Sequence, residues 1–167
     1  MAPPRPRHRP NLSRRWIVLV DGGAARVLAV SEAHTSLDTL REMHAADVHR
    51  KTHDLVTDRA GRSHESASPT RHGIEAKTDP HAQAKENFVG EVAEMLVREY
   101  RAGAFDELIL AVTPAQAQNL KDGLDAATAA VVRATLTKDL VKEPNAAVWD
   151  RLIAEGLMPP RATPPRA

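Results

Sequence analysis

The chain has 167 residues, with 23 basic and 22 acidic side chains and a formal net charge of +1, so it is long enough for one ordinary core and carries no global field for a polyanion. It contains no cysteine, which removes disulfides, thiolate nucleophiles and cysteine-based zinc sites together. No apolar run approaches the ~20 residues of a membrane helix, and the first residues lack the apolar middle of a signal peptide, so a cytoplasmic protein with no membrane partner is expected.

Residues 1–14 hold Pro3, Pro4, Pro6 and Pro10 with Arg5, Arg7, Arg9 and Arg14 and no acid, and Arg15 extends the run. Such a stretch cannot bury enough apolar area to fold alone and reads as a disordered basic arm. A solubilising role is the ordinary one for a charge run; the functional one is a tether whose arginines contact phosphates. A single α/β domain is expected over residues 15–157, and residues 158–167, again rich in Pro and Arg, are expected as a second disordered tail.

Trp16 to Val30 contains two apolar runs on either side of Asp21-Gly22-Gly23. Glycine supplies the backbone freedom of a tight turn, so this predicts an antiparallel hairpin. Ile17, Val18, Leu19 and Val20 do not alternate with polar residues, as suits a central strand covered on both faces. Leu37 to Val48 has a weaker alternation and is expected as a third strand.

From His49 to Asp79 no helical or strand period is present, which is long for a connection in a compact domain and points to a functional loop. Its most distinctive part is Asp54-Leu-Val-Thr-Asp-Arg-Ala-Gly-Arg-Ser63. Arg59 and Arg62 bracket Gly61, and Asp58, Ser63 and Lys77 lie nearby. Two guanidinium forks, a hydroxyl and exposed backbone amides can hold a phosphate, so these residues are the candidate anion or RNA site. His49, His53, His64, His72 and His81 have no ligand spacing of a known metal motif. No metal site and no cofactor are expected.

Asp79-Pro80 is a helix start, with aspartate as N-cap and proline at the first position. Ala84, Phe88, Val92, Leu96 and Tyr100 follow at intervals of four, Val89, Ala93 and Met95 widen the stripe, and Glu94 with Arg98 is expected as a supporting pair. Gly103 ends the helix. Leu108 to Val112 is a second uninterrupted apolar run, hence an interior strand parallel to the first. Thr113-Pro114-Ala115-Gln116 predicts a capping box and a helix ending near Gly123. That places Thr113 at the carboxyl edge of the sheet, where Asp21 and Arg26 are also expected, a candidate polar site. Ala126 to Ala130 predicts a helical turn, Val131 to Thr137 a last strand, and Pro144 opens a final helix with Val148, Trp149, Leu152 and Ile153 on one face and Gly156 after it.

Three antiparallel strands followed by helix, strand, helix, strand, helix is the order of a ribonuclease H-like mixed sheet with helices on both faces. Two-metal hydrolysis would need converging carboxylates. Asp21 can supply one and Glu86 or Glu91 another, but the fourth strand ends in Ala111-Val112-Thr113, without an acid for a third.

Trp16-Ile-Val-Leu-Val-Asp-Gly-Gly-Ala-Ala-Arg-Val27, the Thr57-Asp-Arg-Ala-Gly-Arg-Ser63 loop, the Phe88 helix, Leu108-Ile-Leu-Ala-Val112 and Lys138-Asp139-Leu140 together resemble the bacterial host attachment protein family, over about residues 14 to 155. That family is similar to the ribonuclease H-like middle domain of archaeal and eukaryotic peptide-chain release factors, which implies the same sheet. The release factors' catalytic Gly-Gly-Gln is absent, since Gly22-Gly23 is followed by Ala24. The resemblance therefore implies no peptidyl-tRNA hydrolysis. The leading expectation is a non-catalytic binding module for structured RNA or the ribosome. The alternatives are attachment to host cells by an unknown route, an enzyme on a phosphorylated small molecule with Asp21 or Asp58 as general base, and a homo-oligomer formed through an open sheet edge.

Overall fold

Strand β1 (Arg15–Val20) occupies the middle of a five-stranded sheet, as its unbroken apolar run requires. The computed structural model describes residues 12–46 and 79–163. The sheet has the order β3-β2-β1-β4-β5, with β2 Ala24–Val30, β3 Leu37–His44, β4 Glu107–Val112 and β5 Val132–Leu136. β1, β2 and β3 are mutually antiparallel, whereas β4 runs parallel to β1 and β5 parallel to β4. Helix α1 (Pro80–Arg101) precedes β4. Two short helices, α2 (Ala117–Asp122) and α3 (Ala126–Ala130), precede β5, and α4 (Asn145–Ala154) follows it. This is the ribonuclease H-like mixed sheet.

The alternation of side chains along a strand divides each apolar run between two cores. Val18, Val20, Leu108, Leu110 and Val112 face Phe88, Val89, Val92, Ala93, Met95 and Leu96 of α1, with Leu120 of α2. Ile17, Leu19, Ile109 and Ala111 face Val148, Trp149 and Leu152 of α4. At the ends of α1, the Asp79 carboxylate accepts the His81 N–H at 3.0 Å, and Gly103 takes φ +76°, a left-handed conformation that favours glycine.

Five expectations are corrected. β3 stops at His44 rather than Val48 because its partner runs out: His44 pairs with Ala24, the first residue of β2. Within β3 the register slips opposite Val27 and Leu28, which pair with Arg41 and Thr39. Leu40 is therefore an extra, bulged residue and stands 52% exposed. The capping box at Thr113 does not form. Pro114–Gln116 is instead a 3-10 turn, the Thr113 side chain makes no cap bond, and buried Gln116 turns its Oε1 to the Asn119 side chain.

On α1 the ion pairs tie the helix to other elements, Arg41–Glu99 at 3.1 Å and Arg101–Asp125 at 2.8 Å, rather than joining Glu94 to Arg98. Leu12–Arg14, expected within the basic arm, instead form a 3-10 turn. Arg14 pairs with Asp106 at 2.6 Å and donates to the Gly103 carbonyl, while Arg15 is buried against Glu107. Residues 158–162, expected within the C-terminal tail, are instead held against the fold. Met158 is buried, Pro159 accepts from Trp149, and the Ala162 N–H reaches the His34 carbonyl at 2.9 Å.

Candidate functional site

The hairpin that carries the sequence signature also sets the carboxyl edge of the sheet. Asp21 follows directly on β1, and its Oδ1 accepts the N–H groups of Gly23 and Ala24, each at 2.6 Å, while its own N–H donates to the Ala24 carbonyl. This is an aspartate bonding the turn it begins, a local pattern open to short acidic side chains. The Thr113 N–H donates to the Val20 carbonyl at 3.2 Å, so Asp21 and Thr113 terminate neighbouring strands. Among the other acids weighed for a metal centre, Glu86 is exposed and Glu91 half-buried on α1. Among the described residues no group of three His, Asp or Glu side chains is placed to hold a metal ion.

Arg26 does not join Asp21 and Thr113 in a shared site. It pairs in register with Leu19, and its guanidinium reaches across the α4 side of the sheet. Nη1 donates to the carbonyls of Val141 and Glu143 at 2.8 and 2.7 Å, and Nη2 to Oδ1 of Asn145. The Asn145 amide in turn donates to the Leu37 carbonyl and the Thr39 hydroxyl. One arginine thus pins the stretch between β5 and α4 to the antiparallel half of the sheet. Its Nε is buried without a hydrogen bond, and Glu42 lies 3.8 Å away. Arg26, the last residue of the Asp-Gly-x-x-Ala-Arg motif, thus holds the residues that follow Lys138-Asp139-Leu140 in the chain; the sequence signal was a lone arginine on an apolar strand.

A cleft of about 510 Å³ lies between α1 and the α2–α3 turn, lined by Glu94, Val97, Arg98, Arg101, Gly123, Leu124 and Asp125. Asp125 caps α3 by accepting the Thr128 N–H at 2.8 Å and pairs with Arg101. Hydrogen bonds from Thr128, and then the Arg101 guanidinium, hold its carboxyl down at about 2. Sequence reasoning passed over this cleft because its walls meet only when α1 and the α2–α3 turn pack together. Asp58, Arg59, Arg62, Ser63 and Lys77, the candidate anion-binding residues, lie outside the described residues, as do His49, His53, His64 and His72; His81 is exposed near the start of α1.

Among solved structures, the fold is similar to Saccharomyces cerevisiae Dom34, a translation termination-like factor involved in RNA quality control pathways and interacting with Hbs1. The two share 14% identity over 88% of this chain and 36% of that one, with a TM-score of 0.46. An archaeal translation termination factor, aRF1, shares 11% identity over 88% of this chain and 40% of its own, with a TM-score of 0.38. A further archaeal protein shares 13% over 87% and 42%, with a TM-score of 0.39. The chain spans less than half the length of each. A search of curated proteins returns no match. The sequence from residue 16 to residue 152 fits the profile described as "protein required for attachment to host cells", and the chain belongs to that host attachment family.

Proposed function

We propose that this chain is a non-catalytic binding module for structured RNA, as on the ribosome, acting in the cytoplasm. It would grip phosphates with Arg59, Arg62, Ser63 and Lys77, with Asp58 beside them in the sequence. The observation that carries this reading is the engagement of Asp21. Its carboxylate already accepts two turn N–H groups at 2.6 Å, which supports a role in shaping the hairpin over one as a general base. Arg26, the cation nearest that edge in the sequence motif, is likewise committed to Val141, Glu143 and Asn145. Recognition then falls to the Arg-rich segment between β3 and α1 and to the N-terminal arm. The family's description names an outcome, attachment to host cells; the proposal concerns the molecular contact behind it.

The test is RNA binding by the full chain as a function of salt. Replacing Arg59 and Arg62 together by alanine is expected to weaken binding and lower the slope of log K against log salt by about 1.4 to 1.8, two phosphate contacts' worth. An unchanged slope, or no RNA affinity in the native chain, overturns the proposal.

A further inference from the structure

The tripeptide Pro-Pro-Arg occurs at Pro3-Pro4-Arg5, Pro159-Pro160-Arg161 and Pro164-Pro165-Arg166. The second copy is bound by the fold. The indole Nε1 of Trp149 donates to the Pro159 carbonyl at 3.1 Å. The Arg161 guanidinium stands 5.7 Å from the centre of the Trp149 ring, donates to the Ala146 carbonyl at 2.7 Å and pairs with Asp150 at 2.8 Å. Every recognising group therefore comes from one turn of α4, between Ala146 and Asp150. A tryptophan N–H offered to a proline carbonyl, beside an acid that takes the arginine, is the chemistry by which extended Pro-rich segments are read. Prolines also lower the ordering cost of such a segment.

The first copy is tethered to the fold beside the same seat. Leu12 packs in the apolar cluster that holds Trp149 and Met158, and Arg15 donates to the Leu157 carbonyl at 3.0 Å. The chain thus enters the fold beside the point where its C-terminal segment leaves α4. Six residues separate Arg5 from Leu12, a reach of up to about 23 Å when extended.

We infer that Ala146, Trp149 and Asp150 form a binding site for Pro-Pro-Arg segments, held in this structure by Pro159–Arg161, and that Pro3-Pro4-Arg5 of the same chain competes for it. The two occupants exclude each other. When the arm takes the seat, Arg161 leaves Asp150 and the C-terminal segment loses its hold beside His34. Both occupants are tethered, so the balance between them is set by their contacts and tether lengths rather than by protein concentration.

The absence of cysteine makes the test clean. A nitroxide is attached through Ala2→Cys in the full chain, and the indole N–H resonances of Trp16 and Trp149 are followed by NMR. Combining Arg161→Glu with Arg166→Glu leaves the arm's copy intact. In that variant the Trp149 signal is expected to fall to roughly half or less of its intensity in the otherwise native labelled chain, as a seat held mostly by the arm requires. Adding Arg5→Glu should restore it, and an unshifted Trp16 resonance reports the intact fold. Equal Trp149 intensity with and without the two C-terminal substitutions overturns the inference. So does broadening that survives Arg5→Glu, or broadening that disappears when labelled chain is diluted with unlabelled, which would mean a second copy supplies the occupant.

Discussion

A methyl group added to Gly123 would lie 2.6 Å from the Cβ of Ala93. Here the end of α2 meets α1 with no room for a side chain between them, and Gly123 also lines the cleft. The backbone of Gly123, at φ −79° and ψ −14°, would accept alanine, so only the contact resists it. Gly123→Ala is expected to destabilise the fold by about 1 to 2 kcal/mol, because Ala93 sits on helix backbone and cannot swing away. Ala93→Gly alone should cost about 1 kcal/mol of helix propensity. Combined with Gly123→Ala it should recover part of the loss, a coupling of about 1 kcal/mol measurable by urea unfolding of the four proteins. Strict additivity would contradict the contact.

Gly90 is the opposite case. It lies inside α1, and a methyl group there would meet no atom within 4 Å. Gly90→Ala is expected to stabilise the protein by about 0.5 to 1 kcal/mol, since alanine has less backbone entropy to lose in a helix and nothing to displace. Thermal unfolding reads this as a rise of roughly 1 to 4 °C.

Arg15 and Glu107 predict an asymmetry. The guanidinium is 1% exposed and donates to one carboxylate oxygen at 2.8 and 2.5 Å, while the Glu107 side chain is 30% exposed and has Arg133 at 3.7 Å as a second cation. Glu107→Ala removes the only carboxylate paired with Arg15 among the described residues and leaves a buried charge, at an expected cost of about 3 kcal/mol. Arg15→Met fills the same space without the charge and leaves a Glu107 that water and Arg133 can still serve, so its cost should be below about 1.5 kcal/mol. Chemical unfolding at neutral pH compares the two; equal losses would count against the burial argument.

Asp125 gives the pH dependence. Its carboxyl is held down at about 2, against an ordinary value of 3.8, so the folded state binds its proton less readily than the unfolded chain does. The stabilisation is complete above the ordinary carboxylate value and is lost as pH falls from there through about 2. Asp125→Asn keeps an N-cap acceptor and removes the charge. The native chain is expected to be the more stable of the two at pH 6, with the gap closing steadily between about pH 4 and pH 2. A gap that stays constant over that range would show that the charge contributes nothing.

The architecture was legible because its signals are local. Unbroken apolar runs at Ile17–Val20 and Leu108–Val112 could only be interior strands, and the fourfold spacing from Phe88 to Leu96 could only be a packed helix. The end of β3 was hidden, because it is set by where β2 begins and not by its own residues. The helix after Thr113 carried the right capping letters, but tertiary packing drew Gln116 inward. The candidate polar edge was the least legible part. Asp21, Arg26 and Thr113 lie on neighbouring strands, yet whether polar groups converge depends on what each already bonds. For Arg26 that partner is a carbonyl pair more than a hundred residues away in sequence.

That partnership separates the fold-holding arginine from the ones proposed to grip RNA. Losing the Arg26 guanidinium strands the Val141 and Glu143 carbonyls and the Asn145 side chain together, and Asn145 is the group that reaches on to Leu37 and Thr39. Arg26→Met is therefore expected to cost about 2 to 4 kcal/mol. Arg26→Lys should recover only a fraction of this, because an ammonium cannot reproduce a planar fork aimed at three acceptors. Measured where both variants remain folded, RNA binding should keep its native salt slope. Arg59→Ala with Arg62→Ala should do the reverse, lowering the slope while leaving the unfolding free energy within about 0.5 kcal/mol of that of the native chain. If Arg26→Met lowers the slope as the double substitution does, then Arg26 touches phosphate, and the division between an arginine that holds the fold and arginines that hold the partner is wrong.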